Sequence, residues 1–210
     1  MESVARGGTR WKRFAVVMVP SVAATAVIGV ALSQGALAAS FNVSGQQFKL
    51  TVAKLEGEGF VQYGALDNTP DGKKPVAVVG LDSAKITELC QSVVIPVPVF
   101  GDVSMNLTAG AKGGPKVEAK KLYIDADDLS TDATFTNIDI GVSIDSTTKG
   151  PGPSKVGKDG QGSYVPGSFA QQAESVVFTD VKQRAWATTA GTFKLSGLSM
   201  KVKKGKHECY

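Results

Sequence analysis

The sequence predicts an all-β fold, with a single domain of about ten short strands arranged as a twisted antiparallel sandwich. From Phe41 onward, apolar residues recur at every second position, as where Phe48, Leu50 and Val52 alternate with polar neighbours. This spacing is typical of half-buried strands. Gly, Asp, Asn and Pro separate the runs and indicate turns. Helical spacing is rare, and only segments 82–91 and 168–174 suggest two-turn helices.

The predicted strands follow one another along the whole domain. They are 48–52, 59–64, 75–81, 103–107, 117–124, 135–140, 175–181, 184–189, 192–196 and 198–202. A strand and an acidic turn lead to a Thr-Phe pair at 134–135, and a similar layout recurs at 192–193. This weak repeat makes a β-solenoid the alternative architecture.

An export signal is predicted to precede the domain. A basic head (Arg6, Arg10, Lys12, Arg13) leads into an apolar run at 14–32, and small residues follow at Ala36, Ala38 and Ala39. This is the order of a signal peptide, so we expect cleavage after Ala38. The apolar run also reaches the lower limit of a membrane span, so a retained anchor helix is the alternative. We expect residues 39–210 to be secreted or held at the outer face of the cytoplasmic membrane.

The export segment also explains the basic composition. The chain has 23 Lys and Arg and 19 Asp and Glu, and residues 1–38 hold four of these bases and one acid. The remaining part has 19 bases and 18 acids and is therefore nearly neutral. This balance argues against nucleic acid as a partner.

The two cysteines, Cys90 and Cys209, both lie in the exported part. An even number of cysteines in an oxidising compartment favours one disulfide, and two free thiols are the alternative. Between them, segment 149–167 is rich in Gly and Pro and has few apolar side chains. We expect this segment to be a long loop within the one domain.

Catalytic and metal-binding patterns are weak. The single histidine, His207, lies near the C-terminus, and no Gly-x-Ser-x-Gly motif is present. The acidic stretch 125–136 has Ser130 and Thr136 where a calcium-binding loop requires Gly and Glu. We therefore predict no catalytic residue, no metal and no cofactor, although a pair of converging carboxylates stays open.

Two segments suggest binding surfaces. The first is an apolar run interrupted by prolines: Val93, Val94, Ile95, Val97, Val99 and Phe100. It is either core or a surface that faces lipid, and its prolines restrict it to an edge or an extended crossing. The second is segment 201–206, which contains four lysines. These lysines either protect an exposed strand edge or contact anionic headgroups.

Several motifs together resemble an actinobacterial exported family of unknown function. They are QGALAASF (34–41), GFVQYG (59–64), LCQSV (89–93), DATFTNI (132–138), AWATTAGTF (185–193) and the terminal ECY (208–210). Some members of that family are labelled cholesterol esterase. The resemblance implies a Gram-positive envelope setting, with a small polytopic membrane protein as a candidate partner, and offers no catalytic residues to transfer.

These observations lead to two functional hypotheses. The first is a non-catalytic envelope protein, a binding or structural module for a lipid, a wall component or a membrane partner. The alternative is a secreted lipid esterase, as the family label suggests. The sequence leaves the ligand and the oligomeric state open.

Overall fold

The structure, a computed structural model, describes residues 44–153 and 164–210. These residues belong to one compact unit, Ala38–Tyr210. They form eight strands and, between β6 and β7, one short 3₁₀ turn at Ile144–Ser146. The strands are β1 (Phe48–Thr69), β2 (Gly72–Thr87), β3 (Leu89–Val97), β4 (Gly101–Ala109), β5 (Val117–Thr136), β6 (Asp139–Ser143), β7 (Phe169–Lys194) and β8 (Ser199–Lys204). The predicted signal segment, with Ala36, Ala38 and Ala39, lies outside the described residues.

All eight strands belong to one antiparallel sheet in the order β6-β7-β5-β2-β1-β3-β4-β8. β7 also pairs with β1, so the four strands β1, β2, β5 and β7 form a closed ring. The β1–β7 ladder runs from the pair of Phe48 with Ala185 to the pair of Tyr63 with Ala170. We call β3, β4 and β8, which continue the sheet beyond the ring, the extension.

The all-β prediction is confirmed, but the arrangement differs from the expected one. Eight strands replace about ten, because β1, β5 and β7 are 22, 20 and 26 residues long. A single sheet, four strands of which pair in a ring, takes the place of two packed sheets or of solenoid coils. The extra predicted boundaries fall at irregular positions such as Gly59 (φ 63°) and the β5–β7 register shifts, where the side-chain alternation resets while pairing continues. Segments 82–91 and 168–174 are mostly strand, so the helix prediction was wrong.

The main hydrophobic core fills the ring. Leu55, Leu81, Leu122 and Phe178, one from each ring strand, belong to the same buried cluster. Phe60 contacts Phe135 and Phe178 with ring centroids 5.1 and 6.2 Å away. At Gly57 an added Cβ would lie 2.8 Å from a Leu81 methyl group, so tight packing requires glycine there.

A second, smaller core lies on the opposite face of β1 and β2. It contains Val61, Tyr63, Val76, Val78, Ile144 and Ala170. The connection after β6 covers it, and Gln172 Oε1 accepts hydrogen bonds from the backbone N–H groups of Thr148 (2.7 Å) and Lys149 (3.0 Å). The first residues of the predicted 149–167 loop are therefore fixed to the sheet, and residues 154–163 lie outside the described part.

Candidate binding surface

The extension has two faces that differ in chemistry. β3 pairs with β1 only from Cys90 to Val93, and β4 joins β3 to β8. Residues directly opposite one another in an antiparallel ladder share a face, and successive residues alternate between faces. The register therefore assigns every side chain of the extension to one of two surfaces.

The C-terminal segment covers the first surface, which we call the tail face. Ser104 Oγ donates to Gly205 O (2.6 Å) and accepts from His207 N–H (2.8 Å). Asn106 Nδ2 donates to His207 O (2.8 Å), and Ser92 Oγ accepts from Cys209 N–H (3.0 Å). The Cys90–Cys209 disulfide adds a covalent link. The buried hydroxyls of Ser92 and Ser104 thus hold the tail in place.

The second surface, which we call the apolar face, has no such cover among the described residues. It carries Val93, Ile95, Val97, Val103, Met105, Leu107, Met200 and Val202. Leu107 packs partly against the ring core, whereas Val202 is 65% exposed. Exposure therefore increases from the ring towards the outer strand, and the apolar face is a continuation of the core surface into solvent.

The β3–β4 turn forms the end of this surface, and we call residues 97–101 the tip. Phe100 N–H donates to Val97 O (3.2 Å) and closes the turn. Val99 is fully exposed at φ 70°, a conformation that is unfavourable for a β-branched residue. Phe100 is 55% exposed. A strained apolar residue displayed in solvent is a reason to look for a function at this position.

The predicted apolar run therefore divides between the two faces. Val93, Ile95 and Val97 lie on the apolar face, Val99 and Phe100 lie at the tip, and alternation directs Val94 to the tail face. Beyond Val93 the recorded pairing of β3 is with β4 alone. Pro96 thus lies where one strand edge is unpaired, as expected, and Pro98 lies in the turn of the tip. β8 is the last strand of the sheet, so its lysines do lie on an edge strand.

The ring interior offers little space for a ligand. Its cavity has a volume of about 30 Å³ and is lined mainly by leucine, valine and phenylalanine. Gln183 and Thr188 also line it, and neither Gln183 Nε2 nor Thr188 Oγ1 has a hydrogen-bond partner among the described residues. This volume suits one or two water molecules rather than an acyl chain. The sequence analysis missed this polar pair.

Two carboxyl groups with raised pKa values lie in the sheet, and sequence analysis missed these as well. Asp67 is 6% exposed, and burial raises its pKa to about 6. Burial and the nearby Asp67 charge raise the pKa of Asp125 to about 7. Both residues occur in acidic turn or strand segments that look solvent-exposed in the sequence, which gives no signal of their burial.

The residues considered for catalysis and metal binding lie apart. The His207 ring Nε2 is 3.1 Å from the backbone oxygen of Lys204, within the tail. Asp127 accepts hydrogen bonds from Arg184 Nε (2.9 Å) and Gln47 Nε2 (2.5 Å). Within residues 44–153 and 164–210, no three His, Cys, Asp or Glu side chains form a metal-binding group. No helix in these same residues is long and apolar enough to cross a membrane.

Fold and surface together define a class: an all-β protein made of one sheet, with a disulfide-linked tail on one face of its extension and an open apolar surface on the other. Residues 44–210 match DUF6230, a family of unknown function, and the chain belongs to this family. No curated protein and no solved structure matches the chain.

Proposed function

We propose that this protein is a non-catalytic lipid-binding module of the cell envelope, which docks on a bilayer through the apolar face and the tip. One observation carries the proposal. The tail covers one face of the extension with hydrogen bonds and a disulfide, while the opposite face exposes Met200 and Val202 and the tip exposes Phe100. A contiguous apolar surface of this kind is typical of an interaction site.

The shape of the surface favours a bilayer. Val99 and Phe100 project from the end of the extension, beyond the flat rows of the apolar face. Removing a large apolar side chain from water contributes about 1.5–3 kcal/mol, so two tip residues and part of the face suffice for reversible docking. The hydrogen bond from Phe100 N–H to Val97 O closes the turn before binding, so docking requires less ordering of the tip.

The predicted export segment supports a location at the membrane. The apolar run 14–32 precedes the domain in the sequence. A retained anchor would hold the domain at the outer membrane surface, and a cleaved signal would leave it exported to the same side of the membrane. The disulfide is compatible with this location.

The setting we propose is the Gram-positive envelope implied by the family resemblance, with a small polytopic membrane protein as a further candidate partner. The esterase hypothesis has no comparable support. The imidazole Nε2 of His207 contacts the backbone oxygen of Lys204. A triad would instead require that ring to contact a nucleophile.

The test is hydrogen–deuterium exchange of the full chain with and without vesicles of phosphatidylcholine and phosphatidylglycerol. We expect vesicles to slow exchange in residues 95–103 and 199–204 and to leave residues 139–143 unchanged. The variant Val99→Asn/Phe100→Ser should reduce the association constant for vesicles by at least about tenfold, equivalent to about 1.4 kcal/mol. Asn tolerates the positive φ at position 99, so the variant should fold.

The matched control is Ile140→Ser. Ile140 is an apolar residue of β6 at the other end of the strand order and is 67% exposed. Its substitution should leave vesicle binding unchanged. Equal loss in both variants, or absence of protection at the tip, contradicts lipid docking. A concentration-dependent dimer that protects the same strands without vesicles would assign the surface to a second copy, and turnover of a chromogenic acyl ester would contradict the non-catalytic part.

A further inference from the structure

Positive charge is concentrated beside the apolar face. β8 and the two residues after it contain Lys201, Lys203, Lys204 and Lys206, and the three strands of the extension contain one acid, Asp102. The whole exported part has 19 bases and 18 acids. The rest of the domain is therefore slightly acidic, and the excess of positive charge lies on the extension. Lys204 lies on the apolar face, whereas Lys201 and Lys203 lie opposite Asn106 and Ser104 on the tail face.

Two of these lysines lie next to the tip. Lys204 pairs with Val103 on the apolar face, and its Nζ is 4.7 Å from the centre of the Phe100 ring. Lys206 Nζ is 3.7 Å from Asp102 Oδ2, and Gly205 N–H donates to Asp102 O (2.7 Å). These contacts hold the end of β8 against the start of β4. When Phe100 enters a bilayer, the two ammonium groups would thus remain at the depth of the headgroups.

Protection of the sheet edge explains only part of this arrangement. Lysines on an outer strand discourage pairing with another sheet, and this accounts for Lys201 and Lys203 on β8. Lys206 follows the strand, and Lys204 lies over the Phe100 ring rather than along the edge. Lys204 and Lys206 therefore lie beside the apolar tip, whereas Lys201 and Lys203 lie along the strand edge.

We propose that the surface bound by the extension is an anionic bilayer, with Lys204 and Lys206 binding lipid phosphates around the inserted tip. This inference rests on the proposed docking function and adds the charge of the lipid. The apolar face provides attachment to any bilayer, and the lysines provide the preference for anionic lipid. Dissolved ions screen the attraction between exposed lysines and lipid phosphates, so the preference for anionic lipid should decrease as the salt concentration rises.

The experiment compares vesicles of phosphatidylcholine alone with vesicles in which about one third of the lipid is phosphatidylglycerol, using the full chain. We expect tighter binding to the anionic vesicles by about fivefold for each contributing lysine, and loss of the difference at about 1 M salt. The double variant Lys204→Gln/Lys206→Gln should bind both vesicles with similar affinity. The control Lys73→Gln/Lys120→Gln removes the same charge from exposed positions outside the extension and should retain the preference.

The outcomes separate the two proposals. Equal binding of the parent protein to both vesicles overturns the anionic preference and leaves docking intact. A preference that persists in the extension double variant, or disappears in the control, also overturns it, because the charge would then act from elsewhere. If neither kind of vesicle slows amide exchange at the tip, the docking function itself is overturned.

Discussion

Asp67 is a buried carboxyl group whose ionisation opposes folding. Its Oδ2 has no hydrogen-bond partner in the described part of the chain. Lys74 stands opposite it in the β1–β2 register, but the Lys74 Nζ lies 5.9 Å from the Trp186 ring centre. A carboxylate removed from water without compensation is costly, and the protonated form is therefore favoured in the folded state.

This burial predicts a decrease in stability with rising pH. The pKa of Asp67 is raised from 3.8 to about 6, so the folded state binds more protons than the unfolded state in this range. The contribution is fully present below about pH 4 and is lost as the pH rises through about 6. Asp67→Asn should therefore raise the free energy of unfolding at about pH 8 by about 2 kcal/mol and have little effect near pH 4.

Urea unfolding at several pH values, with the disulfide intact, measures this effect. Asp71→Asn, at an exposed acid in the β1–β2 turn, is the control and should leave the pH profile unchanged. The pKa of Asp125, about 7, should decrease in the Asp67→Asn variant, because the charge of Asp67 helps to raise it. If the free energy of unfolding changes with pH in the same way in the parent protein and in Asp67→Asn, the role assigned to this carboxyl group is contradicted.

Among the structural elements, the C-terminal tail depends most on one covalent bond. The Cys90–Cys209 disulfide closes a loop of 119 residues, worth up to about 5 kcal/mol in the chain-entropy model. It also fixes the tail over Ser92 and Ser104, which would otherwise be buried hydroxyls without partners.

Cys209→Ser is therefore expected to destabilise the protein by several kcal/mol and to loosen the extension, reducing vesicle docking as well. Urea unfolding and vesicle binding measure the two effects. The double variant Cys90→Ser/Cys209→Ser should match the single variant, and the parent protein under reducing conditions should resemble both. An unfolding midpoint that does not change on reduction would show that the hydrogen bonds of the tail are sufficient.

The predictability of each element follows from the range of the interactions that determine it. Side-chain alternation is local, so strands such as 48–52 and 75–81 could be recognised. The pairing of the two cysteines could be predicted from their even number and the predicted export. Ring closure depends on pairs such as Phe48 with Ala185, and the tail face depends on contacts such as His207 with Ser104. Such distant contacts have no periodic signal in the sequence. Segment 82–91 lacks a continuous strand alternation because Glu88, at φ 55°, interrupts it, and this makes the segment resemble a helix in the sequence.

The candidate surface was only partly predictable for the same reason. The apolar run from Val93 to Phe100 is visible in the sequence, and so are the four lysines after Ser199. Their proximity follows from the β4–β8 ladder, which brings Lys204 opposite Val103. The burial of Asp67 and Gln183 depends on which face of a long, bulged strand is covered. A one-residue bulge reverses that assignment, so composition gives no guide.

At the scale of the whole molecule, ring and extension have different boundaries. Each of the four ring strands pairs with two ring neighbours over part of its length, and the enclosed space is filled by the main core. The extension ends in the outer strand β8 and is covered on one face only. Local opening should therefore cost less free energy in the extension than in the ring.

This difference predicts two classes of amide exchange in the protein without vesicles. Amides of β8 and of the tip should exchange at least about tenfold faster than those of the β1–β7 ladder, because few buried contacts must break to expose them. Reducing the disulfide should accelerate exchange in β3, β4 and β8 and leave the ring centre, around the pair of Phe60 with Ala173, almost unchanged. Peptide-resolved mass spectrometry measures both rates. Equal exchange rates in the extension and in the four-strand ring would mean that the sheet opens as one unit. Lipid binding at the extension would then stabilise the four-strand ring to the same extent.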